Sequence, residues 1–428
     1  MSRFKREGMM LIMSQKCLLI GINDSGEDHE DLLELAALVQ SSGNYEIVGT
    51  MIQKRSRADS RYYLGKGKLD SLKEMVDTLE ADLVICDDEL TPAQQRNIFR
   101  ALEIPVTDRT GIILEIFSQR AHTSEGKIQV ELAQLKYALP RLIGKGEELS
   151  RLAGGIGTRG PGESKLEMDR RTIRNRIRAL EREIDFMTRH QGVTRKLRNQ
   201  MDVPIVCLVG YTNAGKSSIM SLLSDSDGGA DSRLFATLAT TGHRIDFPDG
   251  GHFILSDTVG FINKLPHQLV ASFRATLQEV KEADLLLHVI DAAEDGVDRR
   301  IKTVEQVLVQ INAVPDQALK VYNKIDLLSA EEINKLTSSY PGGLLVSATT
   351  GVGKAPLLVE IRDRLFSEAV KIELIIPHNR GDLIAKLYEH TQILDRLDVP
   401  EGVELTVRGS RQVLGQIMQA LEVNNAGG

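Results

Sequence analysis

The sequence predicts an α/β protein in four parts. An N-terminal parallel α/β domain (1–111) leads into a helical hairpin (112–200), a central α/β domain (201–368) and a small α+β C-terminal domain (369–428). Three observations carry this reading. Short apolar runs alternate with helix-like stretches in residues 15–108 and again in 202–368, as parallel sheets with helices on their faces require. Between the two regions the apolar residues step by four and three, the period of a helix seam. Inside the second region Gly210-Tyr211-Thr212-Asn213-Ala214-Gly215-Lys216-Ser217 fits G-x-x-x-x-G-K-[ST], between an apolar run (Val203–Val209) and a helix-like one (Ser217–Leu223).

Taken in order, residues 16–22 read as a buried strand, and Leu32, Leu35, Leu38 and Val39 mark a helix. Tyr45–Ile52 is a second strand and Lys68–Leu79 a second helix. Leu83-Val84-Ile85-Cys86-Asp87 is a third, continuously apolar strand, and Ile104–Thr107 a fourth. Between them Thr91-Pro92-Ala93-Gln94 has a capping residue, proline at the first helical position and glutamine at the third. Gly65-Lys66-Gly67-Lys68 lacks P-loop spacing and reads as a basic or solvated turn.

The helical region has two seams: Ile128, Leu132, Leu135, Leu139 and Leu142, then Ile173, Ile177, Leu180, Ile184 and Met187. Two such stretches joined by a loop predict an antiparallel hairpin. The connection, 144–162, holds Gly154-Gly155-Ile156-Gly157 and Arg159-Gly160-Pro161-Gly162, too many glycines for a helix. With Arg151 and Arg159 beside it, such a tip suits a crowded, phosphate-rich cleft. From Arg159 to Arg198 there are 12 Lys and Arg against 6 Asp and Glu, a local +6 that leaves −13 for the rest of a chain of net charge −7. A basic segment on an acidic protein points to a local polyanion contact, or to a solvated helix face.

The central domain carries the chemistry. The P-loop glycines let backbone N–H groups turn inward around phosphate oxygens, and the following helix adds positive charge. Lys216 can reach the β- and γ-phosphates, and the Ser217 hydroxyl can ligate Mg²⁺. Leu234–Thr241 supplies hydroxyl residues where a switch would close on Mg²⁺ and the γ-phosphate; chemistry alone does not choose among its threonines. A strand at His252–Ser256 ends in Asp257-Thr258-Val259-Gly260. The aspartate suits the Walker-B role, and the Gly260 N–H can meet the γ-phosphate. A core strand at Leu285–Ile290 precedes Ala318–Tyr322 and Asn323-Lys324-Ile325-Asp326. The Asp326 carboxylate can accept from both N–H groups of guanine; adenine would leave it unpaired. Ser347-Ala348-Thr349 then offers a backbone N–H to guanine O6. Four short motifs in order, each at a strand's C-terminal end, predict a Ras-like guanine-nucleotide switch. Phe261 stands where Ras-like enzymes place a water-orienting glutamine, so hydrolysis should be slow unless a partner supplies that group. After Lys371 a strand (Lys371–Ile376), a helix (Asp382–Thr391), a strand (Val403–Arg408) and a helix (Val413–Leu421) make the tail domain.

Composition sets bounds. Hydrophobic content of 42% and charge of 26% are those of a globular chain, and no apolar run reaches membrane-span length. Gln15 and Lys16 interrupt the Met9–Met13 apolar run, and no cleavage-like site follows, which argues against a signal peptide. Cys17, Cys86 and Cys207 lie in apolar runs without metal-ligand spacing, as core thiols do in a reducing compartment.

The chain resembles the HflX family, bacterial ribosome-associated translational GTPases of the Obg–HflX group, over about residues 15–365. The marks are Asp108-Arg109-Thr110-Gly111-Ile112, Glu125-Gly126-Lys127, Gln129–Leu135, Gly154–Gly157 and Arg159–Glu163. In the central domain they continue as the P-loop, Phe235-Ala236-Thr237-Leu238 and Asp257–Phe261. The resemblance implies hydrolysis of GTP to GDP and phosphate, with Lys216 and Gly260 in catalysis and Mg²⁺ held by Ser217 and Thr237. It puts Phe235–Ala239 among the nucleotide-binding segments. Many members read Asp-Pro-Thr where this chain has Ala239-Thr240-Thr241, which bears on the conformation of that switch. It further implies a monomer that binds the large ribosomal subunit, with its glycine-rich tip toward the peptidyl transferase centre, and splits stalled or idle ribosomes under stress. No DNA partner and no membrane span are implied; the location expected is cytoplasmic, in part membrane-associated. Some members are credited with ATP binding or RNA unwinding by the N-terminal domain, but residues 1–200 hold no second P-loop. Two other functions stay open: a GTPase of ribosome assembly or RNA modification, and a hibernation factor.

Overall fold

The computed structural model describes residues 14–24, 30–142, 161–200, 203–224, 242–258, 260–264, 279–313, 318–366, 370–409 and 411–425. The chain forms two compact units, one built mainly of 1–119 and 130–181, the other of 182–265 and 270–428 together with 120–129.

In the first unit β1 (Gln15–Asn23), α1 (Glu30–Ser42), β2 (Tyr45–Lys54), α2 (Lys66–Leu79), β3 (Leu83–Cys86), α3 (Pro92–Leu102) and β4 (Val106–Asp108) follow one another. The strands form an all-parallel sheet of order β2-β1-β3-β4. Its core packs Leu18, Ile20, Leu72, Val84 and Ile98 between sheet and helices. Each strand read from the sequence is present, the fourth placed slightly later than Ile104–Thr107. The Thr91 hydroxyl accepts from the Gln94 N–H at 3.2 Å and Gln94 Oε1 accepts from the Thr91 N–H at 2.9 Å, completing the capping box. Gly65 is the N-cap of α2, with Lys66 and Lys68 in its first turn.

Asp108 and Arg109 explain why α4 (Arg109–Arg120) begins where it does. Asp108 is fully buried. Its Oδ1 accepts from the Gly111 N–H at 3.0 Å, as an N-cap, and from the Tyr137 hydroxyl at 2.8 Å. Its Oδ2 accepts from the Leu90 N–H at 2.9 Å and from Arg141 at 3.1 Å. The buried Arg109 guanidinium reaches Asp87 at 2.6 Å and also Glu34. Four donors on one carboxylate and two carboxylates on one guanidinium satisfy charges that would otherwise be costly to bury.

Tyr137 and Arg141 belong to α5 (Ser124–Arg141), which therefore lies on the sheet domain through residues the seam argument passed over. The seam holds only in part for this helix. Leu132 is buried, but Val130, Ala133 and Gln129 are buried as well, while Ile128, Leu135 and Leu139 are half-buried. A helix covered on more than one side shows no single apolar stripe. In α6 (Pro161–Gln200) the second seam is seen as read: Ile173, Ile177, Leu180, Ile184 and Met187 are sheltered among exposed neighbours. Arg176 binds Glu131 at 2.6 Å and Lys136 binds Glu181 at 2.8 Å. The glycine-rich tip up to residue 160, with Arg151 and Arg159, falls outside the described residues; Pro161 and Gly162, read as the end of that loop, instead open α6.

The second unit contains β5 (Ile205–Gly210), α7 (Lys216–Ser224), β6 (Gly242–Asp246), β7 (His252–Asp257), β8 (Leu285–Asp291), α8 (Val297–Gln310), β9 (Leu319–Asn323), α9 (Ala330–Ser339), β10 (Leu344–Leu345) and α10 (Lys354–Leu365). The six-stranded sheet has order β10-β9-β8-β5-β7-β6, parallel except for β6. Val206, Leu208, Ile219, Leu255, Leu287 and Val321 form its core. The P-loop leaves β5, whose neighbours β7 and β8 lie on either side. That is the crevice at strand C-termini where α/β proteins bind ligands. The tail domain is β11 (Val370–Ile376), α11 (Gly381–His390), β12 (Gln392–Val399), β13 (Gly402–Gly409) and α12 (Arg411–Asn425). Its antiparallel sheet runs β11-β13-β12, with β12 a strand that the sequence reading omits.

Candidate functional site

The P-loop joins β5 to α7. Lys216 lies at the start of α7 with its side chain turned back into the loop, where Nζ donates to Gly210 O at 3.1 Å and Tyr211 O at 2.9 Å. Burial lowers its pKa to about 8, against the opposing pull of Asp257. An ammonium so short of water gains strongly from phosphate charge. Asn213 takes a left-handed conformation at the turn of the loop.

Asp257 ends β7, the strand beside β5. The Ser217 hydroxyl donates to Asp257 Oδ2 at 3.2 Å, while Asp257 Oδ1 accepts from the Thr258 N–H at 2.9 Å. The buried Thr258 hydroxyl anchors the segment on Leu208 O at 2.6 Å. Gly260 follows at a place where a Cβ would stand 3.0 Å from both Lys216 Nζ and the Thr212 Cα. A side chain there would crowd both the lysine and the P-loop backbone, so glycine gives the closest approach.

Phe261 is buried, at 2% exposure. Its N–H donates to Gly210 O at 3.0 Å and its carbonyl accepts from the Thr212 N–H at 2.7 Å. Two residues on, the Asn263 N–H donates to the Tyr211 hydroxyl at 2.7 Å. Segment 261–263 is thus zipped to the phosphate loop, and Tyr211 has a role that the P-loop pattern does not announce. Arg300 lies over the Tyr211 ring, 5.5 Å from its centroid, and pairs with Glu294 at 2.5 Å.

The segment expected to read the base is wired to the same loop. Asn323 ends β9; its Nδ2 donates to Ala214 O at 3.0 Å and its Oδ1 accepts from the Ala348 N–H at 3.1 Å. Lys324 is left-handed and sends Nζ to Asp291 Oδ2 at 2.7 Å. This twist turns the chain into a short 3₁₀ segment, Ile325–Leu327, that carries Asp326. Asp326 is exposed, and its Oδ1 accepts from the Ser347 hydroxyl at 2.5 Å. Ser347 Oγ accepts in turn from the Thr350 N–H at 3.2 Å. The structure therefore brings together Gly210–Ser217, Asp257, Thr258, Gly260, Asn323–Asp326 and Ser347–Thr349. Phe235, Ala236, Thr237, Leu238, Ala239 and Val259 fall outside the described residues. Sequence reasoning misses Asp291, the anchor of Lys324, and Tyr211 as a contact of segment 261–263; neither role belongs to a fixed motif position.

Elsewhere the three cysteines are buried thiols, as read. Burial raises the Cys17 pKa to about 11. Among the described residues no cluster of His, Cys, Asp and Glu could hold a metal by itself, and no helix is long and apolar enough to cross a membrane.

A phosphate loop tethered through one asparagine to an outward-facing carboxylate, with a hydroxyl and a strand-end aspartate paired beside its lysine, defines a P-loop GTPase. Three family models match in succession: GTP-binding GTPase N-terminal over 29–118, GTP-binding GTPase Middle Region over 120–198 and 50S ribosome-binding GTPase over 205–324. GTPase HflX of Caldanaerobacter subterraneus subsp. tengcongensis is 45% identical over 381 residues, 89% of this chain and 88% of that one. GTPase HflX of Escherichia coli K12 is 44% identical over 365 residues, 85% of each chain. The chain belongs to the GTPase HflX family; it binds guanine nucleotide and hydrolyses GTP.

Proposed function

We propose that this GTPase works as a ribosome-bound switch, joining the large ribosomal subunit in its GTP form and splitting stalled or idle ribosomes. The match of the central domain to 50S ribosome-binding GTPases supports the partner. The setting of Phe261 supports a switch rather than a fast enzyme. Its ring is buried and its peptide groups are committed to Gly210 and Thr212, so it offers no hydrogen bond to an attacking water. Positioning of that water must come from another group, and the surface the protein acts on is the natural source.

In this reading the P-loop N–H groups and Lys216 hold the phosphates, and Lys216 and the Gly260 N–H stabilise charge on the transferring group. Ser217, beside Asp257, and Thr237 are the residues that would hold Mg²⁺; their hard oxygens fit that ion. Bound there, the ion would neutralise charge between the β- and γ-phosphates. Asp326, fixed by Ser347, reads the two guanine N–H groups. A backbone N–H of Ser347–Thr349 meets guanine O6; the Ala348 N–H of that loop donates to Asn323 Oδ1 at 3.1 Å.

Splitting needs GTP binding, because the GTP conformation creates the affinity; hydrolysis drives release. Single-turnover hydrolysis by the purified protein, with and without large subunits, tests the partner-activation step. The expected result is slow hydrolysis alone and stimulation of about tenfold or more, which takes only about 1.4 kcal/mol off the barrier. Equal rates in both would mean that an internal group orients the water.

A further inference from the structure

The hairpin β6–β7 joins the segment that ends before Gly242 to Asp257 and Gly260. Its strands pair from Gly242↔Ser256 to Asp246↔His252, so the two ends of the hairpin are mechanically linked. Its turn, Phe247–Gly251, closes with the Phe247 N–H donating to Gly251 O at 3.0 Å and the Gly250 N–H to Phe247 O at 3.2 Å.

That turn is seated in the tail domain, in the corner where α11 gives way to β12. The Gly251 N–H donates to Tyr388 O at 3.0 Å, and the Ile393 N–H to Asp249 O at 2.9 Å. His252 Nδ1 lies 2.9 Å from Glu389 O, so that nitrogen carries the proton. Asp249 Oδ2 accepts from Gln392 Nε2 at 2.7 Å and also from Arg362 of α10. Gly250 is left-handed, with φ of +96°, and a Cβ there would stand 2.7 Å from Thr391 O. The tip enters the corner only as glycine. Asp249 Oδ1, Gln392 Oε1 and Arg362 Nε are buried at this joint without a hydrogen-bond partner among the described residues. The joint is thus held through specific bonds that leave those three buried polar atoms out.

We propose that the tail domain is the output arm of the nucleotide switch. The β6–β7 hairpin relays the state of Asp257 and Gly260 to the α11–β12 corner, and Asp249 is the positioning residue of the joint. The proposal rests on the reading of Asp257 and Gly260 as the segment that answers to the γ-phosphate. Coupling of this kind is reciprocal: whatever holds the tail domain must alter the preference for GTP over GDP by the same factor.

Hydrogen exchange of the full-length protein, loaded with GDP or with a non-hydrolysable GTP analogue, tests it. Protection should differ between the two states in residues 260–264 and also in residues 388–399. In Asp249→Ala the difference at 260–264 should persist while that at 388–399 disappears. The ratio of GTP-analogue to GDP affinity should shift about fivefold or more, the lower end of coupling between linked sites. A wild-type difference at 260–264 with none at 388–399 overturns the relay and leaves the switch intact. No difference at either segment overturns the reading of the switch itself. A variant that keeps the wild-type difference at 388–399 overturns the role of Asp249. The wild-type comparison needs no variant to fold.

Discussion

Asp326 stands exposed on a short 3₁₀ segment with one oxygen held by Ser347, so a base can meet the carboxylate without first reorienting it. Asp326→Asn would place a partial donor against the guanine N–H groups. GTP affinity measured by calorimetry should fall at least about tenfold, roughly 1.4 kcal/mol, and xanthine nucleotide should bind better. Unchanged affinity would remove Asp326 as the base reader. His288, in the middle of β8, makes a second prediction. Burial lowers its pKa from 6.5 to about 3, with Lys320 and Lys216 adding to the effect. The unfolded chain therefore takes up a proton below pH 6.5 that the folded one refuses. This contribution to stability is complete above pH 6.5 and is lost as the pH falls toward 3. The loss should reach roughly 1.4 kcal/mol one unit below the unfolded pKa. Denaturant unfolding of the GTPase unit at a series of pH values, compared with His288→Leu, measures it. An identical slope in both proteins would assign the titration to other groups.

At the scale of elements, the sequence was most legible where a single physical demand fixed the residues. β1, β3, β5 and β8 are sheltered on both faces; the first three are built on continuous apolar runs, and β8 on one broken only by His288. The phosphate and base motifs were legible because they need particular residue types at fixed spacing, and the structure gathers them as their order requires. β6 and β12 were missed. Both are sheet edges, and Gly242-His243-Arg244-Ile245-Asp246 and Asp395-Arg396-Leu397-Asp398 are mostly polar, as edges that must resist pairing with other chains are. A register shift between Ile393 and Asp395 further breaks the alternation in β12. The α5 seam was read too simply because that helix is covered on more than one side. What Asp108-Arg109 does was also hidden, since its partners Glu34, Asp87, Tyr137 and Arg141 are distant in sequence. Asp108→Ala removes the acceptor of four donors at once. The N-terminal unit should lose about 3 kcal/mol or more, since buried donors and Arg141 are left unpaired. GDP affinity should not change, because the nucleotide site lies in the other unit. A loss below about 1 kcal/mol by denaturant unfolding would mean that the network is a surface-like ion cluster.

At the scale of the whole molecule, the tail domain falls in the same compact unit as the GTPase domain, tied to it through Asp249, Gly251 and His252. Nothing in its sequence suggests a chemistry, and its place on the hairpin gives it a role that needs none. The basic segment Arg159–Arg198 and the match to ribosome-binding GTPases point the same way, to a switch that works on a polyanionic partner. The central claim is that the GTP form splits ribosomes and that hydrolysis follows. Sedimentation of joined ribosomes after incubation with the protein and GTP, a non-hydrolysable GTP analogue or GDP tests it most directly. The account predicts separated subunits with GTP and with the analogue, the protein staying on the large subunit with the analogue, and intact ribosomes with GDP. Splitting that is indifferent to nucleotide, or binding confined to immature particles, would contradict it.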